Sequence, residues 1–148
     1  MGMCTEICIS GELRRDTPLD VQEMCRFLFD GSPSNGDVTW FDGPPPLSHP
    51  FFECPRWQIL FGSSCYFCGD SSTSWREVDL SFTGRGHLKN NSEIEQFIDW
   101  IAPYVRDDGG GSFAGHTRYE DSVAPTLVWW ADGKAIYQTI APPPEVTP

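Results

Sequence analysis

One ungapped offset lays a strand-turn-helix pattern in this chain over a second copy of itself. Shifted by 73 residues, Ile7-Cys8-Ile9-Ser10-Gly11 falls on Leu80-Ser81-Phe82-Thr83-Gly84, and Asp20-Val21-Gln22-Glu23-Met24 falls on Glu93-Ile94-Glu95-Gln96-Phe97. Phe27-Leu28 then falls on Trp100-Ile101. Any two strand-helix units of equal period align this way, so the pattern leaves true duplication and coincidence both open. The layout is the same in either case. It predicts an α+β fold of two β-α-β-β-like halves, with an antiparallel sheet and two helices on one face. At 148 residues the expectation is one domain over residues 1–141, followed by a Pro-rich tail at 142–148.

Local signals fill in that layout. Glu6 to Leu13 alternates and reads as a strand entering a turn at Ser10-Gly11. Thr17 as N-cap, Pro18 at the first helical position and Val21, Met24, Cys25 and Leu28 at helical spacing predict a helix ended by Asp30-Gly31. Asp37 to Phe41 and Trp57 to Phe61 resemble short strands. They bracket an irregular segment at about 44–74, rich in Pro, Cys and aromatic residues, whose aromatic content favours packing over disorder. Val78, Leu80 and Phe82 predict a strand over Arg76 to Phe82. A second helix is expected from about Ser92 to Val105, with a Ser92/Glu95 capping box, an apolar stripe of Ile94, Phe97, Ile98, Ile101 and Val105, and a disturbance at Pro103. A strand around Phe113 to Tyr119 follows the acidic, Gly-rich turn Asp107 to Ser112. A hairpin then pairs Thr126 to Trp130 with Lys134 to Gln138 across Asp132-Gly133, a dipeptide suited to a type I′ turn.

Charge narrows the function. Ten Lys and Arg against 21 Asp and Glu give a net charge of -11, the opposite of the basic excess with which phosphate-tracking proteins release counterions. Direct nucleic-acid binding is therefore not expected. No apolar run is long enough for a membrane span and no secretory leader is evident, so the expected location is the cytoplasm, with reduced thiols. Aromatic residues make up 14% of the chain, which excludes acidity as a sign of disorder.

Four constellations suggest chemistry. Cys65-Tyr66-Phe67-Cys68 with Gly69 is a metal-binding turn whose set His49 and Cys54 would complete, but no second paired motif accompanies it, so packed free cysteines are the favoured reading and no metal or cofactor is expected. Thr83-Gly84-Arg85-Gly86-His87 resembles an anion-binding turn. Arg85 and His87, with Arg118 and the aromatic Trp57, would form a small-ligand or nucleotide site, although a strand-to-helix connection also uses glycines for its backbone alone. His87 and His116 approach one another if the halves pack symmetrically, yet no catalytic triad can be assembled and no enzyme activity is expected. Asp107 to Gly111 lacks the ligand spacing of a calcium loop. Finally, residues 93–132 hold eight acids against Arg106 and Arg118, a local balance of -6. Spaced carboxylates such as Glu93, Glu95, Asp99, Glu120 and Asp121 can imitate a run of phosphates in the basic groove of another protein. Ordinary solubility is the competing explanation.

Most residues from about 49 to 130 also carry a resemblance. Leu88-Lys89-Asn90, Glu93-Ile94, Trp100-Ile101-Ala102-Pro103-Tyr104, Gly115, Arg118-Tyr119-Glu120 and Pro125-Thr126-Leu127 look like a group of small uncharacterised proteins encoded by phages and prophages. His49-Pro50-Phe51-Phe52 with Arg56-Trp57 resembles that group's middle segment, from which the Cys54, Cys65 and Cys68 set departs. More loosely, the strand ending Thr83-Gly84-Arg85-Gly86 is similar to ferredoxin-like proteins of plasmid and phage origin, which makes a ferredoxin-like variant the expected fold. The resemblance implies no catalytic residues. It implies a non-enzymatic accessory protein acting in the infected bacterium, binding a host protein and inhibiting a nucleic-acid-binding defence complex in an anti-CRISPR-like or other anti-defence role. A small-ligand binder and a zinc-stapled interaction module are the alternatives.

Overall fold

Along the first strand Thr5, Ile7 and Ile9 alternate with Glu6, Cys8 and Ser10, a period of two that sends alternate side chains to opposite sheet faces. The computed structural model describes residues 4–30, 72–88 and 92–141, and in it this segment is β1 (Thr5–Glu12), with Ile7 and Ile9 buried. After it come α1 (Leu19–Asp30), β2 (Ser72–Arg76), β3 (Ser81–Leu88), α2 (Glu93–Ile101), a 3-10 turn (Ala102–Tyr104), β4 (Ser112–Tyr119), β5 (Thr126–Ala131) and β6 (Lys134–Thr139). The strands make a six-stranded antiparallel sheet in the order β2-β3-β1-β4-β5-β6. With two helices among the described residues, the fold is α+β.

One aromatic cluster joins both helices to the sheet. Phe82 of β3 stacks on Phe29 of α1 with ring centroids 4.9 Å apart, and Phe97 of α2 meets the two rings edge-on at 5.7 and 6.1 Å. Gly11 lies opposite Phe82 on β1, and a Cβ there would sit 2.9 Å from the Phe82 ring, so the absent side chain is what lets the ring lie flat on the sheet. Trp130 of β5 closes the cluster from the other side. Its ring meets Phe82 at 6.5 Å while its indole N–H donates to the Ser10 carbonyl, which answers the one polar atom that its burial would otherwise strand.

The apolar stripes place the helices as expected, since Val21, Met24, Cys25 and Leu28 of α1 and Ile94, Phe97, Ile98 and Ile101 of α2 are all buried. Several local expectations fail. β1 does not turn at Ser10-Gly11 but runs on to Glu12, because Ser10 and Gly11 pair with Thr83 and Phe82. The Arg76 to Phe82 strand is broken: Arg76 ends β2, residues 77–80 turn, and Ser81 and Phe82 begin β3. Leu80 adopts a positive φ of 54° there, Val78 points outward, and the Leu80 carbonyl accepts from the Leu13 amide at 2.9 Å. The Thr17 hydroxyl donates backward to the Arg14 carbonyl rather than capping α1. Ser92 has φ 78° and makes no side-chain cap, so the capping box does not form. α2 ends at Ile101, short of Val105, because Pro103 has no amide hydrogen to continue the ladder, and the chain tightens into the 3-10 turn. The segments Asp37 to Phe41 and Trp57 to Phe61 lie outside the described residues.

The β5–β6 hairpin turns through Asp132 (φ 52°) and Gly133 (φ 75°), the positive pair that a type I′ turn needs. A bulge interrupts β4. Phe113 pairs with Trp129 and Gly115 with Val128, so Ala114 is the additional residue. Gly115 has φ 143°, and a Cβ on it would fall 1.9 Å from the Cys8 carbonyl oxygen. Gly115→Ala is therefore expected to lower unfolding stability in urea by about 2–4 kcal/mol. Gly110→Ala, where an added Cβ meets nothing within 4 Å, should change it by less than about 0.5 kcal/mol. Equal effects of the two substitutions would contradict the bulge geometry.

Candidate functional site

Strand parity puts the chemistry on the sheet face away from the core. Glu6, Cys8 and Ser10 share that face on β1, and the register sets His87 and Arg118 directly across from Glu6, with Arg85 and His116 directly across from Cys8. One carboxylate on β1 thus lies among four basic side chains from its two neighbouring strands, β3 and β4. Glu6 Oε2 accepts a hydrogen bond from His116 Nε2 at 2.9 Å, while His87 Nε2 and Arg118 Nη2 each lie 3.7 Å from Oε1. The His116 hydrogen bond holds the Glu6 carboxyl below the usual carboxylate range, and the charges of His116, Arg118 and His87 reinforce it against the opposing effect of burial.

The nominated residues divide into two groups. Arg85, His87 and Arg118 come together here, but not as a glycine-rich turn: Thr83 to His87 lies inside β3. Gly84 and Gly86 are buried opposite Ile9 and Ile7, where a small residue fits beneath the core, and Arg85 and His87 project to the other side. His116 and Glu6 complete the cluster. Glu6 went unnoticed because its partners lie 81 to 112 residues away; its alternation with buried Thr5 and Ile7 was the available signal. Trp57, His49, Cys54, Cys65 and Cys68 lie outside the described residues. Among the described residues no group of His, Cys, Asp or Glu is arranged to hold a metal ion.

The acidic candidates occupy the helix layer and the β4–β5 turn. Glu95 and Asp99 lie one helical turn apart on α2, where the Tyr137 hydroxyl donates to Asp99 Oδ1 at 3.1 Å. Burial, then the Asp99 charge, pushes the Tyr137 phenol upward. Glu93 is the first residue of α2, and Glu120 and Asp121 are exposed just beyond β4. Glu95 shares the lining of a pocket of about 320 Å³ with Tyr119, Ser122 and Thr126, so α2 and the β4–β5 turn meet there. The Asp107 carboxylate accepts from the Asp132 amide of the β5–β6 hairpin and from the Gly109 and Gly111 amides of its own turn, and those bonds lower its pKa. Cys25 and Cys8 are free thiols, with Cys25 pushed strongly upward by burial. Cys4 is disulfide-bonded, which departs from the expectation of reduced thiols.

No described helix is long and apolar enough to cross a membrane. No family model, no curated protein and no solved structure matches the chain.

The depressed Glu6 carboxyl gives its contribution a sign. A carboxylate whose folded pKa lies below its unfolded value stabilises the fold fully above the ordinary value of about 4.3 and loses that contribution as pH falls through the lower folded value. The stability difference between wild type and Glu6→Gln should therefore be largest near pH 5 and shrink toward pH 2 in chemical denaturation. A difference that grows on acidification would contradict the assigned contacts.

Proposed function

We propose that this chain is a non-enzymatic accessory protein of a phage or mobile element that inhibits a nucleic-acid-binding host defence complex, in an anti-CRISPR-like or other anti-defence role. The observation that carries this reading is the segregation of charge. Among the described side chains, α1 and α2 bear four acids, Asp20, Glu23, Glu95 and Asp99, against the single base Arg26. The opposite sheet face bears Arg76, Arg85, Arg118 and Lys134 with two histidines, against Glu6 and Glu12. The helix layer thus displays more acids than bases, and Glu120 and Asp121 continue it, with further acids in the connecting turns. A rigid acidic surface of this kind presents a basic nucleic-acid groove with fixed charges in place of phosphates and accelerates encounter with it.

We further propose that the arrangement is a ferredoxin-like variant. The succession β1-α1-β2-β3-α2-β4 with the order β2-β3-β1-β4 supports it, and the β5–β6 hairpin then extends the β4 edge. The host cytoplasm is the proposed compartment; the Cys4 disulfide is the feature that stands against a reducing one.

Plating efficiency tests the reading. Expression of the chain in bacteria carrying individual defence systems should restore plating of a restricted phage for at least one of them, and Glu95→Lys with Asp99→Lys and Glu120→Lys should abolish the restoration while the protein stays folded by circular dichroism. Restoration undiminished by the triple substitution would sink the acidic-face mechanism. Absence of restoration across the systems would sink the anti-defence role.

A further inference from the structure

The open sheet face carries an aromatic surface beside its basic cluster. Phe113 and Trp129 face one another across β4 and β5 with ring centroids 5.1 Å apart, and Ile136 flanks Trp129 on β6. Phe113 and Ile136 are about half exposed, at 53% and 47%. The Trp129 indole N–H donates to Gln138 Oε1 at 3.0 Å, which fixes the ring in place. The bulge at Ala114 and Gly115 is what creates this surface. Residues three apart on a regular strand point to opposite faces, and the additional residue brings Phe113 onto the face of His116. His116 stands across from Leu127, one side-chain step along β5 from Trp129, a separation of about 7 Å.

Arg85 lies beyond His116, since Cys8 pairs with both. Glu6 is already engaged by His116, His87 and Arg118. Arg85 and Lys134 are exposed and, among the described residues, form no ion pair, and of the two it is Arg85 that shares Cys8 as a cross-strand neighbour with His116. A ligand suited to the whole face has one anionic group and one flat ring. We propose that the open sheet face binds a mononucleotide, with its phosphate against Arg85 and His116 and its base against the Phe113–Trp129 pair. A single phosphate fits better than a strand, because the net charge of -11 opposes accumulation of a long polyanion whereas one local guanidinium suffices for one phosphate. The face lies across the sheet from the helices, so this site stands or falls independently of the acidic-face reading.

Isothermal titration calorimetry with AMP and UMP, inorganic phosphate, adenosine, and a ten-residue oligothymidylate tests the site. At least one mononucleotide is expected to bind more tightly than phosphate or adenosine alone, with affinity falling about tenfold in Arg85→Ala and again in Phe113→Ala. Both positions are exposed, and thermal melts of the variants confirm that the fold is retained. Mononucleotide binding no tighter than phosphate, or unchanged in both variants, overturns the proposal. Tighter binding of the oligothymidylate than of either mononucleotide overturns the assignment to a single nucleotide.

Discussion

The pairing of β1 on both of its edges is the constraint from which the remainder of this structure follows. From Thr5 to Ile9 each residue is flanked by β3 on one side and β4 on the other, so the strand sits between elements more than 70 and 100 residues away in sequence. Its two faces have opposite chemistry. Ile7 and Ile9 anchor the layer that the helices cover, and burial of two such side chains stabilises the fold by roughly 1.5–3 kcal/mol each. Glu6 and Cys8 face outward, where Glu6 collects His87, His116 and Arg118 from the neighbouring strands. A slip of one residue would move the isoleucines into water and the carboxylate into the core, so the core and the polar cluster specify one register together.

That alternation also divides the charge of the molecule. A chain with more than twice as many acids as bases would be expected to repel other anions from every side. Instead the helices carry more acids than bases, while the sheet face gathers arginines and histidines around Glu6. The two faces therefore suit different partners. The proposed partner of the helix layer is a basic macromolecular groove, and that of the sheet face a small anion with an aromatic part. The bulge in β4 belongs to the second of these features, because Gly115 permits the close approach to the Cys8 carbonyl that turns Phe113 outward.

How far the sequence revealed this depended on the range of each interaction. The stripe Ile94, Phe97, Ile98 and Ile101 and the Asp132-Gly133 turn were legible because their physics is local: a helical period in one case, a left-handed residue pair in the other. Thr83 to His87 misled because glycine commonly marks a turn. Here Gly84 and Gly86 occupy the inward positions of a strand opposite bulky isoleucines, a reason that exists only once β1 and β3 are paired. Val78 and Leu80 alternate like a strand, yet the Leu13 amide bonds the Leu80 carbonyl across the fold and holds the segment in a turn. Its alternation with Thr5 and Ile7 marks Glu6 as an outward strand position but not as a hub, since every group it contacts arrives from another strand. Three of the four proposed ligand residues did meet on one face, for a topological reason that their own spacing does not contain.

Native-state amide hydrogen exchange tests the central role of β1 most directly. With neighbours on both edges, its amides at Glu6, Ile7, Cys8 and Ile9 should exchange only through global unfolding, at the free energy measured by urea denaturation, while amides of the edge strand β6 exchange through smaller openings. Exchange of the β1 amides as fast as those of β6 would contradict the account, because neither face could then depend on this strand for its arrangement.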